Sequence, residues 1–139
     1  MTSNTDTTDQ KRQTGPIIDS SVIDALFEQL DVQVVHDLIE NCFTEFDQQI
    51  ENFKQAGARG DWAGCLTTLH GLRGIAVDYG AAALSDEITA TKQILLSRRY
   101  DALADQIRNL SVAQRDARTA LMMRLAKCAA TKQSNGVTD

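Results

Sequence analysis

The chain has 139 residues, 42% of them hydrophobic, and a formal net charge of −5 at pH 7. That length suits one domain with one core, and the acidic balance argues against nucleic acid as a general partner, since phosphate binding needs a basic surface. No apolar run reaches the roughly 18 residues of a membrane-spanning helix, so no membrane partner is expected.

Met1 to Gly15 is rich in Thr, Asp, Gln and Ser. It has too few apolar residues to offset the entropy of ordering, and it lacks the apolar centre of a secretory signal. The expectation is a disordered leader over residues 1–16 on a cytoplasmic protein. Pro16 is the only proline, so no proline breaks the helices that follow. Cys42, Cys65 and Cys128 are odd in number and lack metal-ligand spacing. They read as reduced, small core residues, and no metal site is expected.

After Pro16, apolar residues recur at steps of three and four without period-two runs, which predicts an all-α fold. Ser21-Val22-Ile23-Asp24 has the form of a capping box for a short first helix over about residues 20–30. Asp31 can cap a long second helix with Val32, Val35, Leu38, Ile39, Cys42, Phe43, Phe46, Ile50 and Phe53 on its inner stripe. Asp37, Glu40 and Glu45 take the other side, and Gly57 and Gly60 end the helix. Asp61 can cap a third helix, with Trp62, Cys65, Leu66, Leu69, Leu72 and Ala76 inward and an end at Asp78 to Gly80. A fourth helix over about 81–98 turns Leu84, Ile88, Thr91 and Leu95 inward. A fifth over about 101–129 uses Leu103, Ile107, Leu110, Ala117, Leu121, Leu125 and Cys128, with Gln114 interrupting the stripe.

From Lys132 onward the chain again reads as disordered. The expected boundaries are thus a leader over 1–16, a helical bundle over 17–130 and a tail over 131–139. Four helices with one apolar face each and short connections predict an antiparallel up-down four-helix bundle. The short N-terminal helix then covers one end.

The third helix carries the candidate chemistry. It holds His70, one of two histidines in the chain, in the run His70-Gly71-Leu72-Arg73-Gly74, with Gly80 further on. Residues three and four apart are neighbours on a helix face, so Arg73 and Gly74 lie one turn beyond His70. At about 100° per residue, His70 lies roughly a quarter-turn from the middle of the apolar stripe, with its tip towards solvent. Neutral imidazole is a competent nucleophile near neutral pH. Arg73 can offer a planar fork of donors to phosphate oxygens, although a surface cation is its ordinary role. A glycine inside a helix costs about 1 kcal/mol relative to alanine, which asks for a reason at Gly74. Gly71 carries the same cost without an assigned function. The other histidine, His36, has Ile39 three positions on and reads as an ordinary surface residue.

This run, from His70 to Gly74 and on to Gly80, resembles the signature of the histidine-containing phosphotransfer (HPt) domains of two-component phosphorelays. Three positions depart from the family pattern: Leu69 stands where Ala is common, and Ile75 and Ala76 stand where small polar residues are common. The resemblance spans about residues 20–130 and implies a bundle with the active histidine exposed midway along one helix. It further implies that His70 is the phosphoacceptor and that Arg73 stabilises the phosphoryl charge. A gap at Gly74, flanked by Thr67 and Val77, then admits a docking partner, and Gly80 serves as a structural end that lets the next helix pack closely.

The implied partners are receiver domains of response regulators or hybrid histidine kinases, and a monomer is expected. No cofactor is expected on the chain itself, and magnesium belongs to the receiver. No glycine-rich phosphate loop after a strand is present, so the chain is not expected to phosphorylate itself from ATP. Two other readings stay open: a non-catalytic adaptor or inhibitor that binds receiver or kinase domains, and a detached phosphoacceptor domain of a histidine kinase.

Overall fold

The computed structural model describes residues 16–138, with side chains described to residue 132. The expected leader, apart from Pro16, and Asp139 of the expected tail lie outside the described residues. The described residues are all-helical, with five α-helices and no strand. These are α1 (Ser20–Gln29), α2 (Val32–Ala58), α3 (Trp62–Asp78), α4 (Ala82–Leu96) and α5 (Leu103–Thr138), with a 3-10 turn at Tyr100–Ala102 before α5.

Helix starts follow local chemistry. The Asp31 carboxylate accepts from the Val32 amide at 3.1 Å, and the Asp61 carboxylate accepts from the Gly64 amide at 2.9 Å. At α1 the expected capping box does not form. Asp19 is the cap instead, accepting from the Ser21 amide at 3.1 Å and the Ser21 hydroxyl at 2.7 Å. Asp24 is thereby released to face α5.

Three helices end in the same way. After α2, α3 and α4 the chain makes paired backward amide bonds around one residue in the left-handed region, the Schellman arrangement. The left-handed residues are Gly60 (φ 71°), Gly80 (φ 71°) and Arg98 (φ 57°). The bonds at the last are Arg98 N–H to the Leu95 carbonyl at 3.1 Å and Arg99 N–H to the Ile94 carbonyl at 3.0 Å. Gly57 was expected to help end α2 but lies inside it.

Each long helix buries one stripe. Val35, Ile39, Phe46 and Phe53 of α2 meet Leu69 and Leu72 of α3, Leu84 and Ile88 of α4, and Leu110 and Leu121 of α5 in one core. Fully burying such a side chain contributes roughly 1.5–3 kcal/mol. Helix α2 packs on α3 and α5, α4 also packs on α3 and α5, and α1 lies against α5 and, less extensively, α2.

Polar side chains lock neighbouring helices together. Gln106 of α5 is buried and lies with its Nε2 3.0 Å from the Glu87 carboxylate and 3.1 Å from the buried Thr91 hydroxyl of α4. It takes the inward place expected of Ile107, which is half-buried. Gln114, which interrupts the stripe, donates to Asp47 of α2, and Arg118 pairs with Glu40 of α2. Glu40 is therefore not simply a solvated side chain. Arg124 grips Asp24 of α1 with two bonds, 2.8 Å from Nε and 2.7 Å from Nη2.

The helix α5 departs most from expectation. Its backbone stays helical to Thr138, across residues expected to form a disordered tail. Cys42 and Cys65 are buried, as expected of core cysteines, whereas Cys128 is only half-buried. Burial, reinforced by the Asp78 charge, pushes the Cys42 thiol up to about 12, so it does not act as a thiolate.

Two outcomes follow for stability. Arg98→Gly should raise it by up to about 1 kcal/mol in thermal or denaturant unfolding, because a left-handed non-glycine residue costs roughly 1–2 kcal/mol. Gly80→Ala should lower it by roughly 2 kcal/mol or more, since a Cβ there would meet the Asp19 carbonyl oxygen at 2.6 Å.

The Asp24–Arg124 grip should also make stability depend on pH. The hydrogen bond from Arg124 holds the Asp24 carboxyl below the usual carboxylate range. A carboxyl lowered in the folded state contributes stability above its unfolded value, and that stability is lost as pH falls through its folded value. Asp24→Asn should therefore flatten the acid limb of a stability–pH curve.

Candidate functional site

The site is built on α3, which is held by one narrow buried side. Cys65, Leu69, Leu72 and Ala76 are each no more than 1% exposed. Trp62 and Leu66, expected to share that stripe, are only half-buried, and Trp62 stacks on Tyr100 with ring centroids 4.1 Å apart. The centre of the buried side therefore shifts away from His70. At about 100° per residue, His70 lies about 130° from the middle of the four buried positions, further out than the quarter-turn expected from the sequence.

Around His70 the helix is open. Thr67, His70, Gly71, Arg73, Gly74 and Val77 are all exposed, and Val77 is 52% exposed despite being apolar. A Cβ built at Gly71 or at Gly74 meets nothing within 4 Å. The imidazole is thus flanked by two bare positions, of which Gly71 was the one left without a role. Neither glycine is required by its neighbours, so packing does not explain them. Thr67 lies on this side, but its hydroxyl donates back to the Ala63 carbonyl at 3.1 Å.

Arg73 lies one turn beyond His70. Among the described residues, no carboxylate lies within ion-pair distance of it. By contrast Arg108, Arg118 and Arg124 each meet a carboxylate. An arginine without an internal partner retains its full set of donors for an incoming anion.

On α4, Thr91, Lys92 and Gln93 make no hydrogen bond to the imidazole. The Thr91 hydroxyl donates to the Glu87 carbonyl at 2.8 Å and accepts from Gln106, while Lys92 and Gln93 are exposed. Among the described residues none hydrogen-bonds His70. His36 is exposed elsewhere, with its Nδ1 3.4 Å from Asp37, as expected of a surface histidine.

Gly80 stands apart from this open side. It is buried, and the segment before α1 crosses it: the Asp19 amide donates to the Gly80 carbonyl at 2.6 Å, and the Ala83 amide donates to the Ile17 carbonyl at 3.2 Å. Its role is to end α3 and admit that segment, not the following helix. The crossing leaves a hollow of about 250 Å³ beside Val77, also lined by Val22, Ser85 and Asp86. Sequence spacing could not show it, because residues far apart in the chain form it.

No group of His, Cys, Asp and Glu that could hold a metal occurs among the described residues, and none of their helices is long and apolar enough to cross a membrane. No protein-family model matches the chain, and neither the curated proteins nor the solved structures include a significant match.

The open space over both glycines gives a direct expectation. Gly71→Ala and Gly74→Ala should each stabilise the protein by up to about 1 kcal/mol, because alanine is the better helix former and nothing obstructs its methyl. Thermal unfolding of the two variants checks this, and a loss of stability at either would reveal a close neighbour.

Proposed function

We propose that this chain is a cytoplasmic phosphocarrier of a two-component phosphorelay, with His70 as the phosphoacceptor. The observation that carries the reading is the exposed imidazole with an unpaired Arg73 one turn away and open space over Gly71 and Gly74. The sequence run from His70 to Gly80 supports it from an independent direction. The five helices fit a monomeric, antiparallel up-down four-helix bundle of α2 to α5 with α1 as an addition.

The partner is a receiver domain of a response regulator or hybrid kinase, carrying a phosphoaspartate and its own magnesium. The unprotonated ring nitrogen of His70 attacks phosphorus in line and forms an N–P bond. The bond from phosphorus to the aspartate oxygen breaks, and the carboxylate leaves with the electron pair. The proton on the other ring nitrogen passes to water. Return transfer reverses these steps.

Arg73 supplies charge to the phosphoryl oxygens, the main demand of a transfer that needs positioning and electrostatics more than covalent help. Gly74, with Thr67 and Val77 beside it, leaves room for the receiver to bring its aspartate in line. The chain needs no cofactor of its own in this scheme and takes no phosphate from ATP alone.

The test is incubation with a phosphorylated receiver, set against incubation with a kinase core plus ATP. Label arriving on the chain from the receiver supports the carrier. Label arriving only from the kinase core assigns a kinase phosphoacceptor, and no label in either assigns a binding adaptor. His70→Gln should remove acid-labile phosphate and leave thermal unfolding near that of the parent.

Arg73→Ala should slow transfer or shorten the phosphohistidine lifetime, with Arg73→Lys retaining much of the activity. Unchanged kinetics in the alanine variant would make Arg73 an ordinary surface cation. Gly74→Gln should fold yet exchange poorly with the receiver, while a small phosphodonor that labels the parent still labels it.

A further inference from the structure

A second site lies away from His70, between α1 and the C-terminal half of α5. These two helices line an open cleft of about 420 Å³, within the range of about 300–1,000 Å³ typical of small-molecule sites. Phe27, Cys128 and Thr131 contribute to its lining. The same lining carries three cations: Arg124, Lys127 and Lys132.

The charges there are not equivalent. Arg124 is neutralised by its two bonds to Asp24, at 2.8 and 2.7 Å. Among the described residues, neither Lys127 nor Lys132 lies within ion-pair distance of a carboxylate. Lys132 instead holds its ammonium 4.9 Å from the centre of the Phe27 ring. Glu28 is the other carboxylate of the lining, so two lysines against it leave a net positive cleft on a chain of net charge −5.

We propose that this cleft binds a small amphiphile: an apolar chain that ends in a carboxylate or phosphate. The apolar chain lies against Phe27, Cys128 and Thr131, and the anion meets Lys127 and Lys132. Two considerations select this class. An inorganic anion would gain little from two solvated lysines, since exposed ion pairs contribute about 0–1 kcal/mol. A cationic amphiphile would find the apolar wall but the wrong charge. The site does not depend on the phosphocarrier reading, because neither α1 nor α5 carries His70 or Arg73.

The cleft contains its own reporter. Cys42 and Cys65 are 7% and 0% exposed, whereas Cys128 is half-buried in the lining. Burial and the hydrogen bond to Asp24 push the Cys128 thiol up, so labelling with a maleimide at mildly alkaline pH should be slow but measurable. The full chain is labelled with and without decanoate below its micellar concentration, and the labelled position is located by mass mapping.

Decanoate should slow labelling of Cys128 several-fold and raise the unfolding temperature. Acetate and decyltrimethylammonium should do neither. Lys127→Gln combined with Lys132→Gln, with helical content checked by circular dichroism, should abolish the protection. No protection by decanoate, equal protection by decyltrimethylammonium, or undiminished protection in a folded double variant would each overturn the proposal.

Vesicles of phosphatidylcholine, with and without phosphatidylglycerol, form the second arm. Protection by anionic vesicles with none from free decanoate would also overturn the proposal and assign the cleft to a membrane surface.

Discussion

The burial of Leu69 and Leu72 fixes the rotation of α3, and the rest of the site depends on it. These residues flank His70 at one position before and two after, and they are 1% and 0% exposed. A helix turns by about 100° per residue, so once both leucines are inward the imidazole has no inward position left. The same rotation places Gly71, Gly74 and Val77 outside. Helix α3 contains Gly64, Gly71 and Gly74, each less favourable than alanine by about 1 kcal/mol in a helix interior. Its stability therefore comes from packing on α2 and α4 more than from propensity. An open, weakly propensive outer side and a tightly packed inner side are two aspects of one arrangement.

The ends of the helices are held by a different device. Gly60 and Gly80 occupy the left-handed positions that close α2 and α3. At Gly80 the conformation and the crowding act together, because the segment before α1 runs directly over it. That crossing anchors the start of α1, and the Asp24–Arg124 grip anchors its middle on α5. Arg98 holds the equivalent left-handed position after α4 without the freedom of glycine. Its backbone bonds to Leu95 and Ile94 are those of the other two ends, so the turn is kept at some local strain.

Several features were legible in the chain because they are local. Asp31 and Asp61 cap helices in the structure as their position before an apolar stripe suggested, since a cap needs only the next three residues. The inner stripe of α4 is read correctly for the same reason, and so is that of α2 apart from Val32 and Leu38, which are only half-buried. Misreadings arise where two segments compete or meet. Ser21 looked like a cap, but Asp19 two residues earlier is the cap and accepts from the Ser21 amide, and Asp24 goes to Arg124. Gln114 looked like a flaw in a stripe and instead reaches Asp47 across to α2. Ile107 looked inward, yet Gln106 holds that place because Glu87 and Thr91 offer it acceptors. A polar residue can be buried when its partners come from another helix, and no pattern within its own helix reveals them.

The sequence by itself determined the helical class, two of the helix caps, the ends at Gly60 and Gly80 and the register of His70, Arg73 and Gly74 on one helix. All of these follow from the 3.6-residue period and from contacts within a few positions. Only the tertiary structure decided how far His70 stands from the core, because that depends on which members of the stripe are truly buried. Trp62 and Leu66 are drawn partly out while Cys65 and Ala76 stay buried. Tertiary contacts also decided that the space over Gly71 and Gly74 is empty, that Gly80 admits the N-terminal segment, and that α1 and α5 line an open basic cleft beside Phe27. Each of these is a relation between residues distant in the chain, and periodicity carries no information about which helix faces which.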